Sequence, residues 1–301
     1  MAIVRTPEDR FQRIEDWPYE PRFTELRLGI LGVVRLAHYE AGPADGPPVL
    51  LLHGEPTWAY LYRKMIPPLA AAGARVIAPD LFGFGQSDKP AHPSQLSYAS
   101  LLHTLVDWFD VQGLGGVTLF CQDWGGLLGL RLAVARADRF DRIVAANTFL
   151  PTGEAPPTEA FLRWRGYSQK VDPFDCGAIV LAGTARGISA AAQEAYNRPF
   201  PDDRYKVAPR RLPILVPVSM DDPEANSNRA AWDVLKRWDK PFLTLFSDLD
   251  AVTAPYARHF QERVPGAAGQ PHATIERAGH FLQEDAGEEL AARVIAFMGL
   301  A

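Results

Sequence analysis

The sequence predicts an α/β fold: a mostly parallel central sheet with helices on both faces and an inserted helical cap. Three observations carry that prediction. Short apolar runs such as Pro48–Leu52 and Arg75–Pro79 have the near-continuous hydrophobicity of strands buried on both faces. Amphipathic helical stretches alternate with these runs, as a parallel sheet with crossover helices requires. The alternation lapses between about Pro151 and Asn228, where Ala, Pro, Gly and Arg are frequent and strand-like runs are lacking.

Taken in order, Phe23 to Gly29 and Val33 to Tyr39 alternate as a strand pair joined at Gly29-Ile30-Leu31-Gly32. Strand Pro48–Leu52 follows, then a helix over Tyr60 to Ala72 ending at Gly73, a C-capping residue. After strand Arg75–Pro79, a helix spans Leu96 to Val111 with Leu101, Leu102, Leu105, Val106 and Phe109 on one stripe. Strands Val117–Cys121, Arg142–Ala146, Pro241–Phe246 and Ala273–Glu276 complete the sheet, and an amphipathic stretch runs from Phe281 to Met298. Between them, helical fragments at Thr158–Gln169 and Ser189–Asn197 belong to the insertion. The expected division is a core domain from residues 1–150 and 229–301, with a cap domain from 151–228 lying over the carboxyl ends of the strands, where open α/β sheets bind ligands.

Composition narrows the function. The chain has 301 residues, 47% hydrophobic and 22% charged, which provides ample core for an ordinary globular protein. Its net charge of −5 and lack of a basic run give no support to nucleic-acid binding. Cys121 and Cys176 are its only cysteines, and neither sits in a disulfide or metal-ligand pattern. Residues Met1 to Arg10 contain no apolar signal core, and no stretch approaches the roughly 18 apolar residues of a membrane span. A cytoplasmic location with no membrane partner is therefore expected, as a monomer or small homo-oligomer. No metal site or cofactor is implied.

The chemistry centres on Gln122-Asp123-Trp124-Gly125-Gly126, which joins strand Val117–Cys121 to the helical stretch Leu127–Val134. Strand, sharp turn and helix are the context of a nucleophile elbow. Asp123 occupies the nucleophile position, where a carboxylate can displace a leaving group from carbon without first losing a proton. An aspartate opening a helix is also a common N-cap. The Gly125-Gly126 pair favours the elbow, which needs tight helix–strand packing there; a plain cap does not. An elbow nucleophile is served by an acid and then a histidine later in the chain. His280 fits as the base, in a loop just past strand Ala273–Glu276. Ser247-Asp248-Leu249-Asp250 follows strand Pro241–Phe246 and offers Asp250 as the acid, with Asp248 as the alternative. The loop His53-Gly54-Glu55-Pro56, directly after strand Pro48–Leu52, would supply the backbone N–H of Glu55 to an oxyanion hole, with the N–H of Trp124 as the second donor.

Together with Pro79-Asp80-Leu81-Phe82-Gly83-Phe84-Gly85-Gln86-Ser87-Asp88-Lys89-Pro90, these segments resemble the haloalkane dehalogenases of the α/β-hydrolase superfamily. The resemblance runs from about Asp16 to the C-terminus and is weakest in the cap. It implies the α/β-hydrolase fold, a small halogenated aliphatic substrate, and water as cosubstrate, with halide as a product. Some relatives carry the acid after the preceding strand, but Asn147-Thr148-Phe149-Leu150 offers no carboxylate there, which favours Asp250. Halide release implies donors for a large anion, and indole N–H groups suit it because they donate and carry no acceptor. The resemblance gives Trp124 as one donor. Some family members use an Asn where Glu55 stands; a charged Glu55 side chain could not ligate halide, so the resemblance implies a second donor from the cap, as in members with this Gly-Glu-Pro loop, and Trp164 is the candidate. Phe149, Phe161, Phe174, Leu249 and Val252 are candidates for apolar pocket wall. The other tryptophans, Trp17, Trp58, Trp108, Trp232 and Trp238, read as core or surface aromatics.

Two-step hydrolysis follows from this set: Asp123 forms an alkyl ester, and His280, oriented by Asp250, activates the water that cleaves it. Two alternatives stay open. An epoxide hydrolase would share Asp123, His280 and Asp250 but needs two phenol donors from the cap, for which Tyr167, Tyr196 and Tyr205 are available. A non-catalytic ligand-binding homologue would not need the set at all.

Overall fold

Eight strands build the central sheet in the computed structural model, which describes residues 3–300; Met1, Ala2 and Ala301, included in the expected core ranges, lie outside the described residues. The strands are β1 (Arg22–Leu28), β2 (Gly32–Ala41), β3 (Pro48–Leu52), β4 (Arg75–Pro79), β5 (Val117–Gln122), β6 (Phe140–Ala146), β7 (Phe242–Ser247) and β8 (Ala273–Ile275). Their spatial order is β8-β7-β6-β5-β3-β4-β2-β1. β2 lies antiparallel to both β1 and β4, and every other pairing is parallel. The strands that read as continuous apolar runs are the interior ones: every residue of β5 and β7 is buried. β1, at the edge, alternates buried Thr24 and Leu26 with exposed neighbours.

Ten α-helices accompany the sheet among the described residues: α1 (Ile66–Ala71), α2 (Tyr98–Gln112), α3 (Trp124–Ala135), α4 (Glu159–Ser168), α5 (Cys176–Ala182), α6 (Ala190–Asn197), α7 (Val207–Leu215), α8 (Ala225–Leu235), α9 (Ala257–Arg263) and α10 (Leu282–Met298). α3 packs with α2 and α8, while α1 packs with α10. The helix expected over Tyr60 to Ala72 is corrected: a 3-10 turn spans Ala59–Tyr62 and α1 begins only at Ile66. Pro67 and Pro68 have no N–H, so they fit the first turn of a helix and not its interior. α2 begins at a reciprocal Ser97/Ser100 cap and ends at left-handed Gly113.

From Pro151 to α8 the described chain is helical and contributes no strand. Thr158 and Ser189 cap α4 and α6, each accepting a backbone N–H three residues on. The sequence did not anticipate α5 and α7. Pro209 and Pro213 disguise α7, the first in its opening turn and the second inside it. α8 crosses position 228 and packs on α3.

Several contacts fasten the segment to the core. Trp58 Nε1 donates to Ala195 O at 3.0 Å, and the Asp285 carboxylate accepts the N–H groups of Ala185 and Arg186 at 2.9 and 2.7 Å. Fully buried Glu284 forms a bidentate pair with Arg63 at 2.5 and 2.8 Å and also accepts the Tyr196 hydroxyl. Trp17, Trp58, Trp108, Trp232 and Trp238 are all core residues, and both cysteines are free and buried. Among the described residues no helix is long and apolar enough to cross a membrane.

Candidate active site

Strand β5 delivers Asp123 at the carboxyl edge of the sheet, with φ +51° and ψ −127°, a backbone state an L-residue adopts only where its surroundings enforce it. The surroundings here are specific. The Asp123 N–H donates to Asn147 O at 3.0 Å, and its carbonyl accepts the Thr148 hydroxyl and the Gly126 N–H, each at 2.8 Å. A Cβ at Gly125 would overlap the Leu52 carbonyl, and one at Gly126 would overlap the Thr148 hydroxyl. Asp123 stands at the N-cap position of α3, but its side chain makes no capping hydrogen bond, unlike that of a plain N-cap. Its side chain turns outward, with Oδ1 accepting the Glu55 N–H at 2.8 Å.

The loop after β3 is held for that bond. His53 Nε2 accepts the Leu81 N–H at 3.0 Å and its Nδ1 lies 2.9 Å from Gly54 O. Burial lowers His53 to about 4, so the ring stays neutral and can serve as that acceptor. Trp124 opens α3 directly after Asp123, so its N–H is among the first-turn donors the helix itself does not use.

His280 sits between two carboxylates. Its Nδ1 is 3.0 Å from Asp250 Oδ2, and its Nε2 is 3.4 Å from Asp123 Oδ2. Burial alone would depress the imidazole; the charges of Asp250 and Asp123 overcome it and push His280 up to about 10. Asp250 is buried, which by itself would raise its carboxyl. The His280 charge, with hydrogen bonds from His280, Thr253 and the Val252 N–H, holds it below the usual value. The carboxylate of the alternative acid, Asp248, accepts the backbone N–H groups of Arg277 and Ala278 at 3.0 and 3.1 Å, whereas Asp250 bonds His280.

These groups open into an apolar cavity of about 450 Å³ that both Trp124 and Trp164 line. Of the proposed wall residues, Phe149, Phe161 and Val252 line it. Phe174 is instead fully buried in the core and Leu249 is 60% exposed, so neither forms wall. Of the three tyrosines, only Tyr167 faces the cavity. Tyr196 is buried against Glu284, and Tyr205 lies in a 3-10 turn beside Arg204. The pair of phenols that an epoxide needs is therefore not assembled.

Glu55 corrects the expectation of a charged side chain. It lines the cavity yet is only 4% exposed, and its Oε1 is enclosed without a partner. Burial first, and then the charge of Asp123, raise its carboxyl well above the ordinary range. The case for a donor from the cap thus rests on Trp164 reaching the cavity and not on a charge at Glu55.

Sequence reasoning passed over Asn147. Its Nδ2 donates to Ser247 Oγ at 2.6 Å and to Gly279 O and His280 O at 3.0 Å each, tying the ends of β6 and β7 to the His280 loop. The one signal was a polar residue at the carboxyl end of an apolar strand.

Comparison with known proteins agrees with this geometry. The alpha/beta hydrolase fold family matches residues 47–286. The haloalkane dehalogenase of Psychrobacter cryohalolentis is 49% identical over 298 residues, covering 99% of this chain and 98% of its own. That of Mycobacterium marinum is 47% identical over 297 residues, covering 99% and 100%. A tetrameric haloalkane dehalogenase structure from Paraglaciecola agarilytica superposes with a TM-score of 0.91 at 34% identity, covering 98% of each chain. This chain belongs to the haloalkane dehalogenase family of α/β-hydrolases.

Proposed function

We propose that the protein hydrolyses haloalkanes to an alcohol, halide and a proton through a covalent ester on Asp123. The observation that carries this reading is one apolar cavity containing a carboxylate nucleophile, a histidine between two carboxylates, and two indoles. Asp123 Oδ1 is engaged by the Glu55 N–H, so Oδ2 attacks the halogen-bearing carbon from behind. The C–O bond forms as the carbon–halogen bond breaks, and the halide leaves with its electron pair towards the indole N–H groups of Trp124 and Trp164.

The carbonyl oxygen of the ester is then Oδ1, already 2.8 Å from the Glu55 N–H. That donor and the Trp124 N–H stabilise the oxyanion when water attacks the carbonyl carbon. His280 takes the proton from that water, and Asp250 orients the ring and stabilises the imidazolium. In the resting enzyme His280 is a poor base, because two carboxylates hold its proton. Alkylation removes the charge of Asp123, so the proton affinity of His280 falls when the base is needed. Collapse of the tetrahedral intermediate restores the Asp123 carboxylate and frees the alcohol.

In this reading the helical segment 151–228 acts as a cap over the core of 1–150 and 229–301, and α4 brings Trp164 to the cavity. The substrate is a small halogenated aliphatic and the protein works where water is plentiful, in the cytoplasm. Halide release from 1,2-dibromoethane, set against turnover of styrene oxide, tests the assignment. Turnover of the epoxide without halide release would refute it.

A further inference from the structure

Gln122, the last residue of β5, is fully buried, and its amide nitrogen meets one residue at two atoms. Its Nε2 lies 3.2 Å from the carbonyl oxygen of His280 and 3.1 Å from the ring nitrogen His280 Nε2. The carbonyl can only accept, so the contact with it fixes which way the amide faces. Turned over, Gln122 Oε1 would confront the His280 carbonyl oxygen, and the two N–H donors would be left where Oε1 now sits enclosed without a partner. An amide N–H facing Nε2 interacts favourably with a lone pair and unfavourably with a second N–H.

We infer that Gln122 is a positioning residue which holds His280 in the tautomer with its proton on Nδ1, facing Asp250, and keeps Nε2 free to accept a proton from water. This inference rests on the assignment of His280 as the base in hydrolysis of the ester.

The charged groups around the ring explain why such a device matters. Asp250 faces Nδ1 and Asp123 faces Nε2. Glu55 lies across the cavity, and Asp175 lines it from the cap, its carboxylate accepting the Ala178 N–H and the Asn197 amide. Behind the loop, Asp285 accepts the Gly279 N–H. All are carboxyl groups, and any that is ionised favours the imidazolium. Gln122 acts in the opposite sense, at the nitrogen that must be unprotonated. After Asp123 becomes an ester, Asp250 and Gln122 are the polar side chains still bonded to the ring, and together they select the neutral Nδ1–H form.

The test is Gln122→Met, which preserves length and apolar packing and removes the donors. Rapid mixing with a bromoalkane, followed by intact mass across pH 6–10, measures formation and decay of the Asp123 adduct separately. The adduct is expected to form at close to the wild-type rate. Its decay is expected to need a pH about one unit higher, so that it is roughly tenfold slower on the acidic limb. Decay with an unchanged pH profile would overturn the inference. Absence of any adduct in the wild type and in His280→Phe would instead sink the underlying ester mechanism.

If Gln122→Met does not fold, nitrogen NMR of His280 in Asp123→Asn decides, because the amide mimics the uncharged ester. A neutral ring protonated at Nδ1 is expected near pH 7. An imidazolium or the Nε2–H tautomer would overturn the inference.

Discussion

Replacing Trp164 with Phe isolates one group, the indole N–H on the cap side of the cavity. Trp164 is half-buried on α4 and its ring lies 6.0 Å from that of Tyr167. A phenyl ring keeps most of that apolar contact, and the Thr158 cap of α4 and the Phe149–Phe161 packing are untouched. The change therefore removes a donor and leaves the fold of α4 in place. A hydrogen bond to a charged group contributes about 1.5–3 kcal/mol. The halide acquires its charge only as the bond to carbon breaks, so the loss falls on the barrier to alkylation. That corresponds to a roughly tenfold to hundredfold slower alkylation. Single-turnover mixing with 1,2-dibromoethane measures that rate directly, and bromide binding should weaken by a similar factor. Ester hydrolysis should change little, because Trp164 makes no contact in the proposed oxyanion hole. If alkylation and bromide affinity both survive unchanged, Trp164 is not the second donor.

Gly125→Ala would drive a methyl into the Leu52 carbonyl; overpacking of this kind costs about 1–3 kcal/mol, so calorimetry should show a lower Tm together with a loss of kcat as the elbow moves off the oxyanion loop. The pH dependence of stability has a definite sign. His280 is raised to about 10 from an unfolded value near 6.5, so its pairing contributes fully below pH 6.5 and is lost as pH rises towards 10. Tm should fall from pH 7 to 10, and the fall should be shallower in His280→Phe. Arg63→Met leaves Glu284 buried beside Tyr196 without its bidentate partner. Breaking a buried pair from one side costs about 3–5 kcal/mol, so a large drop in Tm by thermal denaturation is expected, with no change in the halogen preference of the protein that remains folded.

The sequence was most informative where a pattern is local. Apolar runs located β3, β4, β5 and β7 because strands buried on both faces leave no polar side, and the helical fragments read from Thr158 and Ser189 begin at residues that cap them through local backbone contacts. The elbow was legible because Asp123, Gly125 and Gly126 stand together. Relations across the chain were not. Asn147 bonds residues 100 and 133 positions away, and nothing near it in sequence announces those partners. The charge of Glu55 depends on enclosure by several separate segments, so its letter alone misled. Asp250 and Asp248 differ by two positions after one strand, and only the direction of each side chain separates the group facing His280 from the one tying a neighbouring turn.

The central claim is that Asp123 carries the alkyl group between two chemical steps. Mass spectrometry of His280→Phe incubated with a bromoalkane tests it most directly. The variant keeps the nucleophile and both indoles but has no base, so the protein should gain the mass of one alkyl group, stable over hours and localised to the peptide containing Asp123. A variant that binds the bromoalkane yet stays at its unmodified mass would contradict the account.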